Sequence, residues 1–276
     1  MTKPPLLIPS PRGSTRCFVI LGDPVAQVKA PELMNRIFMK AGADAVMVPV
    51  HARPADLAAV VEGLKRSRNV DGMLVTIPHK FAVCKLVDRL SPTVELAGSA
   101  NALRREPDGR WSAENFDGQG FVAGLRQQGH EPRGQRVALV GAGGAGVAIA
   151  AALVEAGVQR LCITDLSVDK ARALAERLGA WRAGVATAHA DAAVGEDIDI
   201  AVNATPVGLK AEDPLPFELG GLRADALVAD IIMKPADTAL LQAAARRGLR
   251  VHHGIHMLTP QIGLYSRFFG IAEAQA

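Results

Sequence analysis

Three glycines set the first chemical expectation. In Val137-Ala-Leu-Val-Gly141-Ala142-Gly143-Gly144-Ala145-Gly146 a short aliphatic run enters the pattern Gly141-x-Gly143-x-x-Gly146. Gly141 permits a tight turn, Gly143 lets the backbone approach a ligand, and Gly146 lets a helix lie close to the preceding strand. A helix starting there offers unbonded N–H groups and the positive end of its dipole, a seat for a pyrophosphate. Such a triplet also occurs as a plain turn in other α/β proteins, so its context decides. A strand-like run precedes it, a helical pattern follows, and the next aliphatic run, Leu161-Cys-Ile-Thr164, ends in Asp165. A carboxylate at that place accepts ribose hydroxyls and repels a 2′-phosphate, so NAD is the expected cofactor. Arg160, Lys170 and Arg172 lie near in sequence and keep NADP open.

These residues need a frame. Short aliphatic runs at 17–21, 45–50 and 72–76 alternate with helical patterns at 31–41 and 54–65. That rhythm predicts a parallel sheet with right-handed crossovers. The turn Ile77-Pro-His-Lys80 reads as the start of a helix, and Pro107-Asp-Gly109 as the turn of a hairpin before Trp111. A second series begins near Arg136, with strands at 137–140, 161–164, 198–202, 226–231 and 250–252 and helices at 144–156, 167–178 and 237–247. The expected fold is therefore a two-domain α/β chain. Residues 1–117 form a substrate domain with a mostly parallel sheet, completed by a helix at 254–276. Residues 118–253 form a Rossmann dinucleotide domain. A chain of 276 residues, 49% hydrophobic, can bury two such cores.

Composition narrows the classes. The formal net charge is +3 and aromatics are 4%, with no basic run interleaved with aromatics. That suits an anionic small ligand and argues against nucleic acid. The longest apolar stretch, 137–156, is broken by glycines and is no membrane span. The opening MTKPPLLIPSPRGSTR places prolines where a signal peptide needs an apolar helix, and reads as a loose arm. Cys17, Cys84 and Cys162 lack metal-ligand spacing and read as reduced thiols of a cytoplasmic protein. His252, His253 and His256 do not have the spacing of a zinc site either, so no metal is expected. His79 reads as a surface residue beside Lys80.

Further segments complete the reading. They are Gly22-Asp-Pro24-Val-Ala-Gln-Val28-Lys29-Ala30-Pro31, Leu74-Val-Thr76-Ile-Pro78-His-Lys80, Gly98-Ser-Ala-Asn101-Ala102 and Asn115-Phe-Asp117-Gly118. Asn203-Ala-Thr205-Pro206-Val-Gly208 and Gly254-Ile-His-Met257-Leu-Thr-Pro-Gln261 follow. In this order they resemble the shikimate dehydrogenase family over nearly the whole chain, and 157–166 is similar to its NAD-using quinate/shikimate branch. The resemblance implies a catalytic pair, Lys80 and Asp117, placed between the domains. It implies that Thr76, Asn101 and Gln261 hold the substrate's hydroxyls, and that Asn203, Thr205, Pro206, Gly254 and Met257 border the cofactor. The chemistry is coherent. Hydride leaves the carbinol carbon, so the hydroxyl proton needs an acceptor. A lysine can take it while an acid holds the lysine in place.

The chain departs from the family at three substrate-binding positions. Val28 and Ala30 stand where serines grip a carboxylate, and Met233 stands where a tyrosine meets the same group. A buried carboxylate without donors costs at least about a few kcal/mol. Two outcomes stay open. The substrate is less polar at that end, or it is a shikimate/quinate analogue whose anion is met elsewhere, by Lys29 or Gln27. The implied function is reversible NAD(P)-dependent oxidation of a ring secondary alcohol. A dinucleotide-binding regulatory protein is the alternative, and retained Lys80 and Asp117 speak against it. A methylene-tetrahydrofolate dehydrogenase is a third reading, opposed by Asn101 and 115–118. The sequence stops at Ala276, where family members often carry one more helix, so a more open substrate side is expected. Enzyme base rates favour a homodimer.

Overall fold

The computed structural model describes residues 10–192 and 194–271. They form two compact units. One runs to Phe116 and resumes at Ile262; the other is Asp117–Gln261.

The first unit is built on β1 (Arg16–Gly22), α1 (Ala30–Lys40), β2 (Ala45–His51), α2 (Leu57–Arg66) and β3 (Val70–Val75), followed by β4 (Arg89–Leu90), α3 (Pro92–Ala97), β5 (Ala102–Arg105) and β6 (Trp111–Glu114). The sheet order is β2-β1-β3-β5-β6-β4. β1, β2 and β3 are parallel; β5 runs antiparallel to both β3 and β6. The β5–β6 hairpin turns where Pro107-Asp-Gly109 predicts it, with Gly109 at φ 83°. Val19, Leu21, Met73, Val75, Leu103 and Trp111 close one core. On the other face Gly72 leaves room for the Phe269 ring, which stacks 4.8 Å from Phe18.

Three local expectations change. Residues 54–56 wind as a 3₁₀ turn that leads into α2, with Pro54 at its first position, where a missing N–H costs nothing. No helix starts at 77–80. That segment is a turn, and a 3₁₀ stretch follows at Ala82–Leu86. The described end of the opening arm is not loose: Ser14 and Thr15 both donate to Asp44, at 2.7 and 2.6 Å. Residues 1–9 of that arm lie outside the described residues, as do 272–276.

The second unit holds α4 (Asp117–Gln127), β7 (Arg136–Val140), α5 (Gly144–Glu155), β8 (Arg160–Thr164), α6 (Val168–Trp181), β9 (Ala186–His189), β10 (Ile200–Asn203), β11 (Leu227–Asp230), α7 (Ala239–Arg246) and β12 (Arg250–His252). Its six strands are all parallel, in the order β12-β11-β10-β7-β8-β9. This is the doubly wound order, with its switch point between β7 and β10. α8 (Ile255–Phe268) begins in this unit, and its residues from Ile262 belong to the first. It ends at Phe268 rather than running on, with Gly270 at φ 65°.

α4 falls where the sequence suggests a domain boundary, and its Gly118, Gly120 and Gly124 are poor helix formers. Packing reverses that. A Cβ at Gly118 would collide with the Ala148 carbonyl, one at Gly120 would come within 2.7 Å of the Met257 carbonyl, and one at Gly124 would strike the His256 carbonyl. The glycines let α4 lie directly against α5 and the start of α8, which offsets their poor propensity.

Candidate active site

In the first unit, the carboxyl ends of β1, β2 and β3 are tied together by backbone bonds. Ala52 N–H donates to Gly22 O (3.2 Å), Thr76 N–H to Leu21 O (2.9 Å), and Asp23 N–H to Ile77 O (3.0 Å). A Cβ on Gly22 would lie 2.5 Å from the Thr76 methyl, so only glycine allows this approach. His79 is not a surface residue. It is 1% exposed, and its Nε2 bonds the Ala52 carbonyl at 2.7 Å, drawing the turn before Lys80 inward. The Lys80 carbonyl accepts from Ala100 N–H at 2.8 Å. Asn101, buried, receives Phe116 N–H on Oδ1 at 2.9 Å, while its carbonyl receives Val75 N–H. Asn115, also buried, donates to the Ser99 carbonyl and hydroxyl, both at 3.0 Å. Thr76, Lys80 and Asn101 thus share one edge. Val28 is half-buried and Ala30 buried on the loop and helix start that follow β1.

In the second unit, the glycine turn sits at the switch point. Gly141 has φ 109°, and a Cβ there would meet the Ala204 carbonyl at 2.8 Å. A Cβ on Gly146 would collide with the Gly141 carbonyl, so helix and strand touch through it. At Gly143 a Cβ would meet nothing within 4 Å. The space above that residue is open, at the N-cap of a 12-residue helix. Ala142, Gly144 and Ala145 lie along the same bend. These residues fit a pyrophosphate: bare backbone, helix N–H groups and no side chain in the way.

Asp165 follows β8. Its Oδ2 accepts Ala142 N–H at 2.7 Å and its Oδ1 accepts Ser167 N–H at 2.9 Å, which fixes the carboxylate against the turn. Arg160, one of the cations that kept NADP open, starts the same strand. It lies roughly 16 Å away by strand rise and pairs with Asp197. Arg172 pairs with Asp169 at 3.3 Å.

Asn203 is fully buried. Its Oδ1 accepts from the Thr205 N–H and hydroxyl (3.0 and 2.7 Å), and its amide donates to Val207 O and Asp230 Oδ1 (3.0 and 3.2 Å). Its side chain therefore shapes the Thr205–Pro206 loop from within. Asp230, which sequence reasoning did not single out, is the hub of this loop. It also holds Ile232 N–H and the Thr238 hydroxyl, and burial pushes its carboxyl up despite these bonds. Gly254 packs under the loop after β11, where a Cβ would sit 2.5 Å from the Ile232 carbonyl. Met233, on that loop, is 46% exposed, and Met257 is buried.

Asp117 opens α4 at 3% exposure, and the Gln261 amide donates to its Oδ1 at 3.4 Å. The signals for His79 and Asp230 were weak in the sequence: a histidine in a turn and an acid at a strand end.

Comparison with known proteins agrees with this layout. Residues 20–103 match the family model "Shikimate dehydrogenase substrate binding domain", and 125–208 match "Shikimate / quinate 5-dehydrogenase". A shikimate dehydrogenase (NADP(+)) of Rubrobacter xylanophilus is 40% identical over 92% of this chain and 90% of its own length. Among solved structures, quinate dehydrogenase from Corynebacterium glutamicum in complex with NAD is 27% identical at TM-score 0.83, covering 94% of this chain and 95% of that one. Ligand-free 5-ketofructose reductase of Gluconobacter sp. strain CHM43 is 28% identical at TM-score 0.81, covering 92% of each. With both halves matched and two glycine-shaped sites on the expected scaffold, the chain belongs to the shikimate dehydrogenase family of NAD(P)-dependent oxidoreductases.

Proposed function

We propose that this enzyme reversibly oxidises a ring secondary alcohol of the shikimate/quinate type to its ketone, with altered recognition at the carboxylate end. The observation that carries the reading is Asp117, almost fully buried yet bonded by Gln261. A carboxylate desolvated in this way serves to hold a cation or a proton donor. In this reading the cation is Lys80. Lys80 Nζ, as the neutral amine, takes the hydroxyl proton during oxidation and becomes the ammonium that Asp117 holds; during reduction the ammonium returns that proton. Thr76, Asn101 and Gln261 orient the ring hydroxyls. When bound, the nicotinamide accepts or gives the hydride at the carbinol carbon. The glycine turn seats the pyrophosphate.

NAD is the proposed cofactor. Asp165 is held against the glycine turn, and in this reading its charge meets a 2′-phosphate; the next residue, Leu166, is fully exposed and brings no cation. The NAD complex of the Corynebacterium quinate dehydrogenase supports this choice, and the NADP(+) name of the Rubrobacter relative opposes it. Relatives named as dehydrogenases or reductases over nine-tenths of the chain leave the regulatory alternative without support. The proposal includes a cytoplasmic homodimer; among the described residues no helix is long and apolar enough to cross a membrane.

The test follows nicotinamide absorbance with NAD and NADP, each paired with shikimate, quinate and uncharged cyclic diols or ketoses. Turnover that survives Lys80→Ala would refute the assigned base. A higher kcat/KM with NADP would refute the part given to Asp165.

A further inference from the structure

Beside Thr76, Lys80 and Asn101, the first unit offers the substrate one more wall: the loop Gly22–Lys29 and the first turn of α1. Its side chains are chemically one-sided. Val25 and Val28 are half-buried and Ala30 is buried, and none carries a donor. Gln27 turns its amide back to the Pro24 carbonyl at 2.8 Å. The N-terminus of α1 would ordinarily welcome an anion. Here Pro31 has no N–H, Leu33 N–H already bonds the Lys29 carbonyl at 3.2 Å, and Glu32 places a carboxylate in the first turn. Lys29, the cation of this loop, is exposed, so its charge is screened by water.

The other charged group here is Asp23, which with its partner His51 forms a pair that is negative wherever the imidazole is neutral. Asp23 follows β1, its backbone bonds Ile77 next to Thr76, and its Oδ1 lies 2.6 Å from His51 Nε2 at the end of β2. Its side chain is 30% exposed, so the pair is open to a ligand. A carboxylate oxygen accepts a neutral hydroxyl well and repels another carboxylate. Ile77 and Phe81, on either side of the Lys80 turn, are both more than half exposed and present apolar surface.

We infer that the substrate is an uncharged ring alcohol and its ketone, and that Asp23, held by His51, excludes the carboxylated ring. This rests on the dehydrogenase reading above and names its substrate class. The Asp23–His51 pair accepts a ring hydroxyl; Val28 and Ala30 cover the end where an anion would otherwise sit.

Shikimate and its methyl ester share every ring hydroxyl and differ by one charge and one methyl, so the part due to charge is read from how their ratio responds to salt and to Asp23→Asn. The wild-type enzyme is expected to turn over the ester with kcat/KM at least about tenfold above the acid, with the difference in KM. Added salt should lower KM for the acid and not for the ester, because it screens the repulsion. Asp23→Asn should shrink the ester-to-acid ratio by about fivefold or more, on the scale of one lost like-charge contact. Turnover of uncharged ketoses or cyclic diols without turnover of the acid also supports the inference. An acid handled as well as its ester, or a ratio unmoved in Asp23→Asn, overturns it and leaves the dehydrogenase reading standing. No turnover of any of these compounds with either dinucleotide overturns both.

Discussion

His252 makes the second unit acid-sensitive by a calculable amount. It closes β12 at 1% exposure, and neither ring nitrogen has a hydrogen-bond partner among the described residues. Its ring packs 4.8 Å from His256, 5.8 Å from Phe121 and 6.3 Å from His130, with Arg250 on its own strand and His253, paired to Asp237, beside it. Burial first, then the charges that His256, His130 and His253 acquire, lowers its pKa from 6.5 to about 3. The folded protein therefore keeps this ring neutral where the unfolded chain protonates it. Stability is intact above about pH 6.5 and falls below it by about 1.4 kcal/mol per pH unit. The loss reaches about 2 kcal/mol near pH 5 and about 4 kcal/mol near pH 3. His252→Phe keeps a ring of similar size beside Phe121 and cannot titrate. Urea unfolding from pH 7.5 to 4.5 should show a slope smaller by about one proton in the variant. His130 and His256, which burial also lowers, contribute to the residual slope, as do paired carboxylates such as Glu131 and Asp199 toward its acid end. Equal pH slopes in wild type and variant would refute the reasoning.

Other outcomes follow from the same geometry. Lys80→Ala should cut kcat by about 10²–10⁴-fold with little change in Tm, measured by nicotinamide absorbance and thermal unfolding. Asp165→Ser should move the NADP-to-NAD ratio of kcat/KM toward NADP, since it removes the charge facing a 2′-phosphate. Asn203→Ala strands the Thr205 N–H and the Val207 carbonyl and takes one partner from Asp230. Urea unfolding should show a loss of roughly 2–4 kcal/mol. Gly118→Ala pushes a methyl into the Ala148 carbonyl and should cost roughly 1–3 kcal/mol on the same measurement.

The parallel strands and the glycine turn were legible because each obeys local rules. Aliphatic runs such as 137–140 have one stable use in a doubly wound sheet, and Gly141, Gly143 and Gly146 answer to sterics within a few residues. What escaped depends on partners far away in the chain. α4 is helical because Ala148, Met257 and His256 approach its glycines, and no window around 117–127 contains that information. His79 looks like a solvated turn residue until the Ala52 carbonyl, supplied by a different loop, captures its ring. Asn203 was legible as important but not in its manner of acting, since its bonds to Val207 and Asp230 stay inside the protein.

The backbone bonds that lash Gly22, Ala52 and Thr76 together divide the first unit into a stiff part and a replaceable part. Thr76 and the turn that carries Lys80 hang from the lashed frame, whereas positions 25–30 hang outside it. On the proposed assignment, substitutions at 25–30 can therefore change which molecule is admitted while the frame that carries Lys80 stays as it is. A lineage built this way can change its diet while keeping its teeth.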